Sequence, residues 1–276
     1  MGVEASRAVV RLARLPLDLA ADGVGQLTGL LDRALHGRPT GPGDPFPADS
    51  GIPVLLVHGL ADGASVIPPL ERELRGDGVG PFIPVACNAF GQDIRTAARA
   101  MGERVEQACA HGGGRTAVVI GYSLGGLIAR YYVQRLGGDA HVPLVITLAT
   151  PHGGTATALL APAHPLLRQL RPGSDLLTEL AEPAPGCRTQ FVAFYSDLDE
   201  AVIPATRGRI DHPDLKARNV LVPGVGHLTL PLHRPVIDET RALLAAAQAM
   251  FAVCTPNGDG PRPGGQVARD TVADSP

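Results

Sequence analysis

Ser123 stands at the centre of Gly121-Tyr122-Ser123-Leu124-Gly125-Gly126, between the apolar run Ala117-Val118-Val119-Ile120 and the helix-like stretch Leu127-Ile128-Ala129-Arg130-Tyr131-Tyr132. A G-x-S-x-G at a strand-to-helix junction has a mechanical meaning. The chain turns sharply, the small neighbours leave room for the turn, and the hydroxyl is lifted above the sheet edge beside a helix N-terminus that favours negative charge. A serine hydroxyl is a weak nucleophile until a base removes its proton, and the base needs an acid to hold its tautomer. Nine histidines compete for the first role. His227, in Val222-Pro-Gly-Val-Gly-His-Leu228, follows the last apolar run and precedes the final helical segment, where a loop can return over the serine. His58 ends the first apolar run and is better explained by a loop framing an oxyanion site; His152 sits in a turn after a later run. For the acid, Ser196-Asp197-Leu198-Asp199-Glu200 holds two aspartates. Asp199 is preferred, because it lies further past the strand end and leaves Asp197 free to bond local backbone N–H groups.

Acyl transfer also needs donors for a tetrahedral oxyanion. The N–H of Leu124, directly after the serine, is one. The loop Val57-His58-Gly59-Leu60 offers the second, assigned to Leu60.

These residues demand a scaffold that delivers loops to one edge. Short apolar runs at Ile52–His58, Pro81–Ala86, Thr116–Gly121, Pro143–Ala149, Gln190–Tyr195 and Asn219–Val222 read as strands. Helical segments are expected near Ser65–Arg75, Gln92–Ala110, Leu124–Leu136 and Pro235–Phe251. Continuous apolar strands alternating with helices predict an α/β fold with a mostly parallel sheet covered on both faces. Thr155–Glu182 has no strand pattern and is Leu-rich, broken by Pro162, Pro165 and Pro172, which predicts a small helical insert. Its aliphatic content suggests an acyl pocket without large aromatic walls. The chain thus divides into an N-terminal amphipathic helical extension (1–37), a Gly/Pro-rich linker (38–50), a catalytic domain (51–253) and a polar tail (254–276) expected to be disordered.

Bulk composition removes other classes. A formal net charge of −3 lacks the basic footprint of a nucleic-acid binder. With 45% apolar and 18% charged residues, the chain is not disordered throughout. Glycine (34) and proline (26) are abundant without a collagen period. Asp18, Asp22 and Asp32 interrupt the N-terminal region, so it reads neither as a membrane span nor as a secretory signal, and a cytoplasmic location is expected. Residues 6–35, amphipathic and Arg-bearing, could rest peripherally on a membrane or pack on their own domain. The cysteines at 87, 109, 187 and 254 form no C-x-x-C pair and read as free thiols, with a Cys87–Cys109 bridge as the alternative.

Val-His-Gly-Leu at 57–60, Gly-Tyr-Ser-Leu-Gly-Gly at 121–126, Leu-Ala-Thr-Pro-His-Gly-Gly-Thr at 148–155, Ser-Asp-Leu-Asp-Glu-Ala-Val-Ile-Pro at 196–204 and Gly-Val-Gly-His-Leu at 224–228 together resemble the bacterial triacylglycerol lipase and esterase branch of the α/β-hydrolase superfamily. The order Ser123, Asp199, His227 is that superfamily's order. The resemblance implies a serine carboxylic-ester hydrolase with no metal or organic cofactor, acting on a small-molecule or lipid ester through an acyl-enzyme. It implies that the segment around Pro151 and His152 shapes the acyl side, with His58, Gly59 and Tyr122 also expected to contact substrate. Acyl transfer to an alcohol by the same triad, or a non-catalytic binding role for the fold, are the rival readings.

Overall fold

The computed structural model describes residues 51–59, 63–76, 79–85, 93–111, 116–160 and 163–254. The extension, the linker, Leu60, Cys87 and residues 255–276 lie outside them. In chain order the elements are β1 (Val54–Val57), α1 (Gly63–Leu74), β2 (Phe82–Val85), α2 (Ile94–His111), β3 (Val118–Tyr122), α3 (Leu124–Arg135), β4 (Leu144–Leu148), α4 (Pro165–Gln169), α5 (Asp175–Ala181), β5 (Gln190–Tyr195), β6 (Lys216–Leu221) and α6 (Arg234–Cys254).

Six strands pair in the order β2-β1-β3-β4-β5-β6, every pairing parallel. The alternation of side chains along each strand divides the apolar residues between two cores. Leu55, Val57, Ile83, Val85, Val119, Val145, Phe191 and Ala193 point to the face covered by α2 and α3. Val54, Leu56, Phe82, Val118, Ile120, Ile146, Val192 and Phe194 point to the face covered by α1 and α6. Both faces are buried, which is why these strands read as unbroken apolar runs. In α2 the buried positions Ile94, Ala97, Ala98, Met101, Val105, Ala108 and Cys109 recur at three and four residues, one stripe of a helix. Cys109 is a free thiol, and burial pushes its pKa up to about 11.

β6 begins at Lys216, three residues before the expected strand. Among the described residues it is an edge strand, with only β5 beside it, and its exposed or half-buried Lys216, Arg218 and Asn219 hide it from a search for apolar runs.

The insert between β4 and β5 is helical, as expected, and six of its leucines are drawn into the core, while Leu159 and Leu160 stay exposed. Leu166, Leu167, Leu170, Leu176, Leu177 and Leu180 are buried in the core shared with α2 and α3. Each such burial is worth about 1.5–3 kcal/mol, so α4 and α5 are packed as part of the domain rather than laid over it. The last turn of α5 is held from α3. Arg130 Nη2 donates to Leu180 O at 3.0 Å, Gln134 Nε2 to the same oxygen at 2.9 Å, and Arg135 Nη2 to Glu182 O at 2.7 Å. These carbonyls are the ones a helix end leaves without partners.

Candidate active site

Because every strand runs the same way, the turns after β1, β3, β4, β5 and β6 all open at one edge of the sheet. The chain departs from β1 to β2 on one side and returns to β3 on the other, so the strand order reverses between β1 and β3, the point at which open α/β sheets bind ligands.

Ser123 joins β3 to α3 with φ 52° and ψ −120°. A non-glycine residue held there stores about 1–3 kcal/mol of backbone strain and needs its surroundings to impose the shape. They do so by close approach. A Cβ on Gly125 would stand 2.1 Å from Val57 O, and one on Gly121 would stand 2.5 Å from the Cα of Gly126. Gly59, in the turn after β1, lies so near that its Cβ would be 2.9 Å from Ser123 Cβ. The Ser123 N–H donates to Leu148 O at 2.8 Å, tying the turn to the end of β4. Leu124 opens α3, so its N–H has no intrahelical acceptor and stands next to the serine.

His227 arrives from the turn after β6. Its Nε2 lies 3.1 Å from Ser123 Oγ, and its Nδ1 lies 2.9 Å from each carboxylate oxygen of Asp199. Asp199 Oδ1 also accepts the N–H groups of Ala201 at 2.9 Å and Val202 at 2.8 Å, so the acid is fixed before the imidazole meets it. The Asp199 side chain is 2% exposed and that of His227 is 11% exposed. The Tyr122 ring lies 5.4 Å from the His227 ring, tilted by 41°, and supports it. A buried imidazole between a carboxylate and a hydroxyl can draw a proton from the hydroxyl and pass it on.

The structure therefore brings Ser123, Asp199 and His227 together and sends Asp197 elsewhere: its Oδ1 accepts the N–H of Gly224 at 2.7 Å. Gly59 lies against the serine, and His58, half-buried, donates from Nδ1 to Gly59 O at 2.7 Å. Three residues expected at the substrate are turned inward. Tyr122 is buried beneath His227, and Pro151 is buried in the turn after β4. His152 is 4% exposed, with Nε2 2.9 Å from Thr147 Oγ1. Burial and the Arg130 charge hold the His152 pKa well below the ordinary imidazole value.

Arg130 is the buried cation on that side. It donates to Gln134 Oε1 at 3.1 Å, His152 O at 3.2 Å and Leu180 O at 3.0 Å, and desolvation lowers its pKa to about 10. The sequence alone assigns no role to it, nor to Ser196 and Glu200. The available signal was a Ser-Asp-x-Asp-Glu cluster whose acceptors had to be used, opposite a Gly-x-Gly-His turn whose N–H groups had no ladder. Among the described residues, no group of three His, Cys, Asp or Glu could hold a metal ion, and no helix is long and apolar enough to cross a membrane.

The family model of palmitoyl protein thioesterase matches residues 53–205, from β1 through the turn that carries Asp199, and stops short of His227. Among solved structures, the mature form of Bacillus licheniformis lipase BlEst2 superposes with a TM-score of 0.58 at 15% identity, covering 73% of this chain and 96% of that one. Aspergillus fumigatus lipase B gives 0.54 at 17% identity, covering 64% of this chain and 47% of that one. A membrane phospholipase A described as a bacterial virulence factor gives 0.50 at 18% identity, over 73% and 81%. At these identities the likeness is one of fold. No curated protein matches the sequence at a significant level.

Proposed function

The chain belongs to the palmitoyl protein thioesterase family of the α/β-hydrolases, and from that premise we propose that it hydrolyses acyl esters with Ser123 as nucleophile, His227 as base and Asp199 as the acid that orients it. The observation that carries this reading is the unbroken line from Ser123 Oγ through His227 to Asp199, at 3.1 and 2.9 Å. Ser123 Oγ attacks the acyl carbonyl as its proton passes to His227 Nε2. The tetrahedral oxyanion is met by the Leu124 N–H at the start of α3 and, in this proposal, by the N–H of Leu60. Collapse expels the alcohol, which takes the proton from His227. Water then attacks the acyl-enzyme with His227 again as base, and the acid leaves. Asp199 stays ionised and steadies the imidazolium through Nδ1.

The name of the matching family favours a thioester as the second substrate class. The same triad serves it, since the acyl half and the oxyanion are unchanged and only the leaving group differs. A panel of p-nitrophenyl esters and acyl thioesters of graded chain length, assayed on the wild type and on Ser123→Ala, tests both readings. The wild type turns over one class or both and is labelled by a fluorophosphonate; Ser123→Ala loses the label and at least about 10³-fold in kcat. Wild-type turnover by Ser123→Ala removes the assignment.

A further inference from the structure

The turns that carry Asp199 and His227 are joined by more than the pair itself. Ser196 Oγ accepts the N–H of Val225 at 3.3 Å, Asp197 Oδ1 that of Gly224 at 2.7 Å, and Glu200 Oε2 that of His227 at 2.9 Å. Asp199 takes the imidazole. Four of the five side chains in 196–200 therefore hold the turn that bears the histidine, and the Glu200 bond falls on that residue's own backbone. Gly226 leaves room beside this bond, a Cβ there standing 3.2 Å from Glu200 Oε2.

We propose that Glu200 is a positioning residue for His227, acting through the backbone N–H while Asp199 acts through the ring. This rests on the reading of His227 as the base. Two anchors on one residue fix both where its Cα sits and how its ring turns. Either anchor alone leaves Nε2 free to drift from Ser123 Oγ, and a misplacement of about 1 Å lowers a rate about 100-fold. Glu200 also brings a second carboxylate to the imidazolium that forms when Ser123 loses its proton. The described groups that face His227 are Asp199 and Glu200 from the turn after β5, and Tyr122 and Ser123 from the β3–α3 junction. Both charged ones are acidic. Glu200 is exposed, so water weakens its field but leaves its hydrogen bond in place.

The test separates the bond from the charge. Glu200→Ala removes both, and kcat falls about tenfold with KM held, the size of one charge-assisted hydrogen bond at its lower end. Glu200→Gln keeps an acceptor oxygen and restores kcat to within about threefold of wild type. The position of the ring is read without substrate from the His227 ring resonances by NMR in the full chain at one fixed pH. Resonances that move in Glu200→Ala and return in Glu200→Gln support the proposal, whatever the outcome for Ser123→Ala. Wild-type kcat in Glu200→Ala, a change confined to melting temperature, or His227 resonances unmoved in Glu200→Ala overturns it.

Discussion

The serine and the histidine are held in place by opposite means. Around Ser123 the scaffold works by leaving atoms out. Gly59, Gly121 and Gly125 let two strand ends and a helix approach so closely that a methyl group would collide with the neighbouring segment, and the turn is held to its shape. Around His227 the scaffold works by putting atoms in. Ser196, Asp197, Asp199 and Glu200 each present an oxygen to a turn that has no ladder partner of its own. The serine's geometry therefore comes with the folded core, whereas the histidine's geometry is adjustable one hydrogen bond at a time. Substitutions at the first should remove the fold, and substitutions at the second should remove rate from a folded protein.

The largest expected effect falls on the second region. Asp199→Asn keeps shape and burial but favours the wrong imidazole tautomer, and kcat should fall about 10⁴-fold, near 5.4 kcal/mol, with the melting temperature almost unmoved. Stopped-flow ester hydrolysis beside a thermal melt checks this, and a melt lowered in step with the rate would erase the contrast. Next comes Gly125→Ala, where the new Cβ meets Val57 O at 2.1 Å. About 3 kcal/mol of stability should be lost, roughly 6–12 °C in melting temperature. A stable Gly125→Ala protein with only reduced kcat would show that the two regions are held alike.

The smallest effect distinguishes them by pH. His152, under the serine side, has its pKa depressed by burial and by Arg130. The native state keeps it neutral while the unfolded chain takes up a proton, so its contribution to stability is complete above about pH 6.5 and falls as the pH is lowered toward the folded value. Urea unfolding of the wild type and His152→Gln at pH 7.5 and 5.5 should show the gap between them shrinking by about 1.4 kcal/mol. A gap constant with pH would mean that the ring is not kept neutral.

The same contrast explains what could be read from the sequence. Strands β1 to β5 and the Ser123 turn were legible because their causes are local: unbroken apolar runs make strands buried on both faces, and glycines cluster where chains must touch. The pairing of Asp199 with His227 was legible from order along the chain. Glu200 was not, since its partner N–H lies 27 residues away and any loop glutamate looks the same in a list of residues. The direction of the His152 side chain is hidden for a related reason, because a polar residue after a strand end points to solvent or to Thr147 according to packing alone. The Leu/Ala-rich segment 155–180 reads as a pocket lining; the core between α2 and α3 takes its leucines from 166 onward, and Leu159 and Leu160 stay exposed.

Ser123 precedes the histidine that faces it by 104 residues. A chain made at about 5–20 residues per second carries its strained serine for roughly 5–20 s before the base has been synthesised. During that interval β1 to β4 can already pair around a finished turn, so an acyl group that reaches the nascent chain meets an unactivated hydroxyl. In the proposed mechanism the base reaches Ser123 only from the turn after β6, so activity waits for the last strand of the domain.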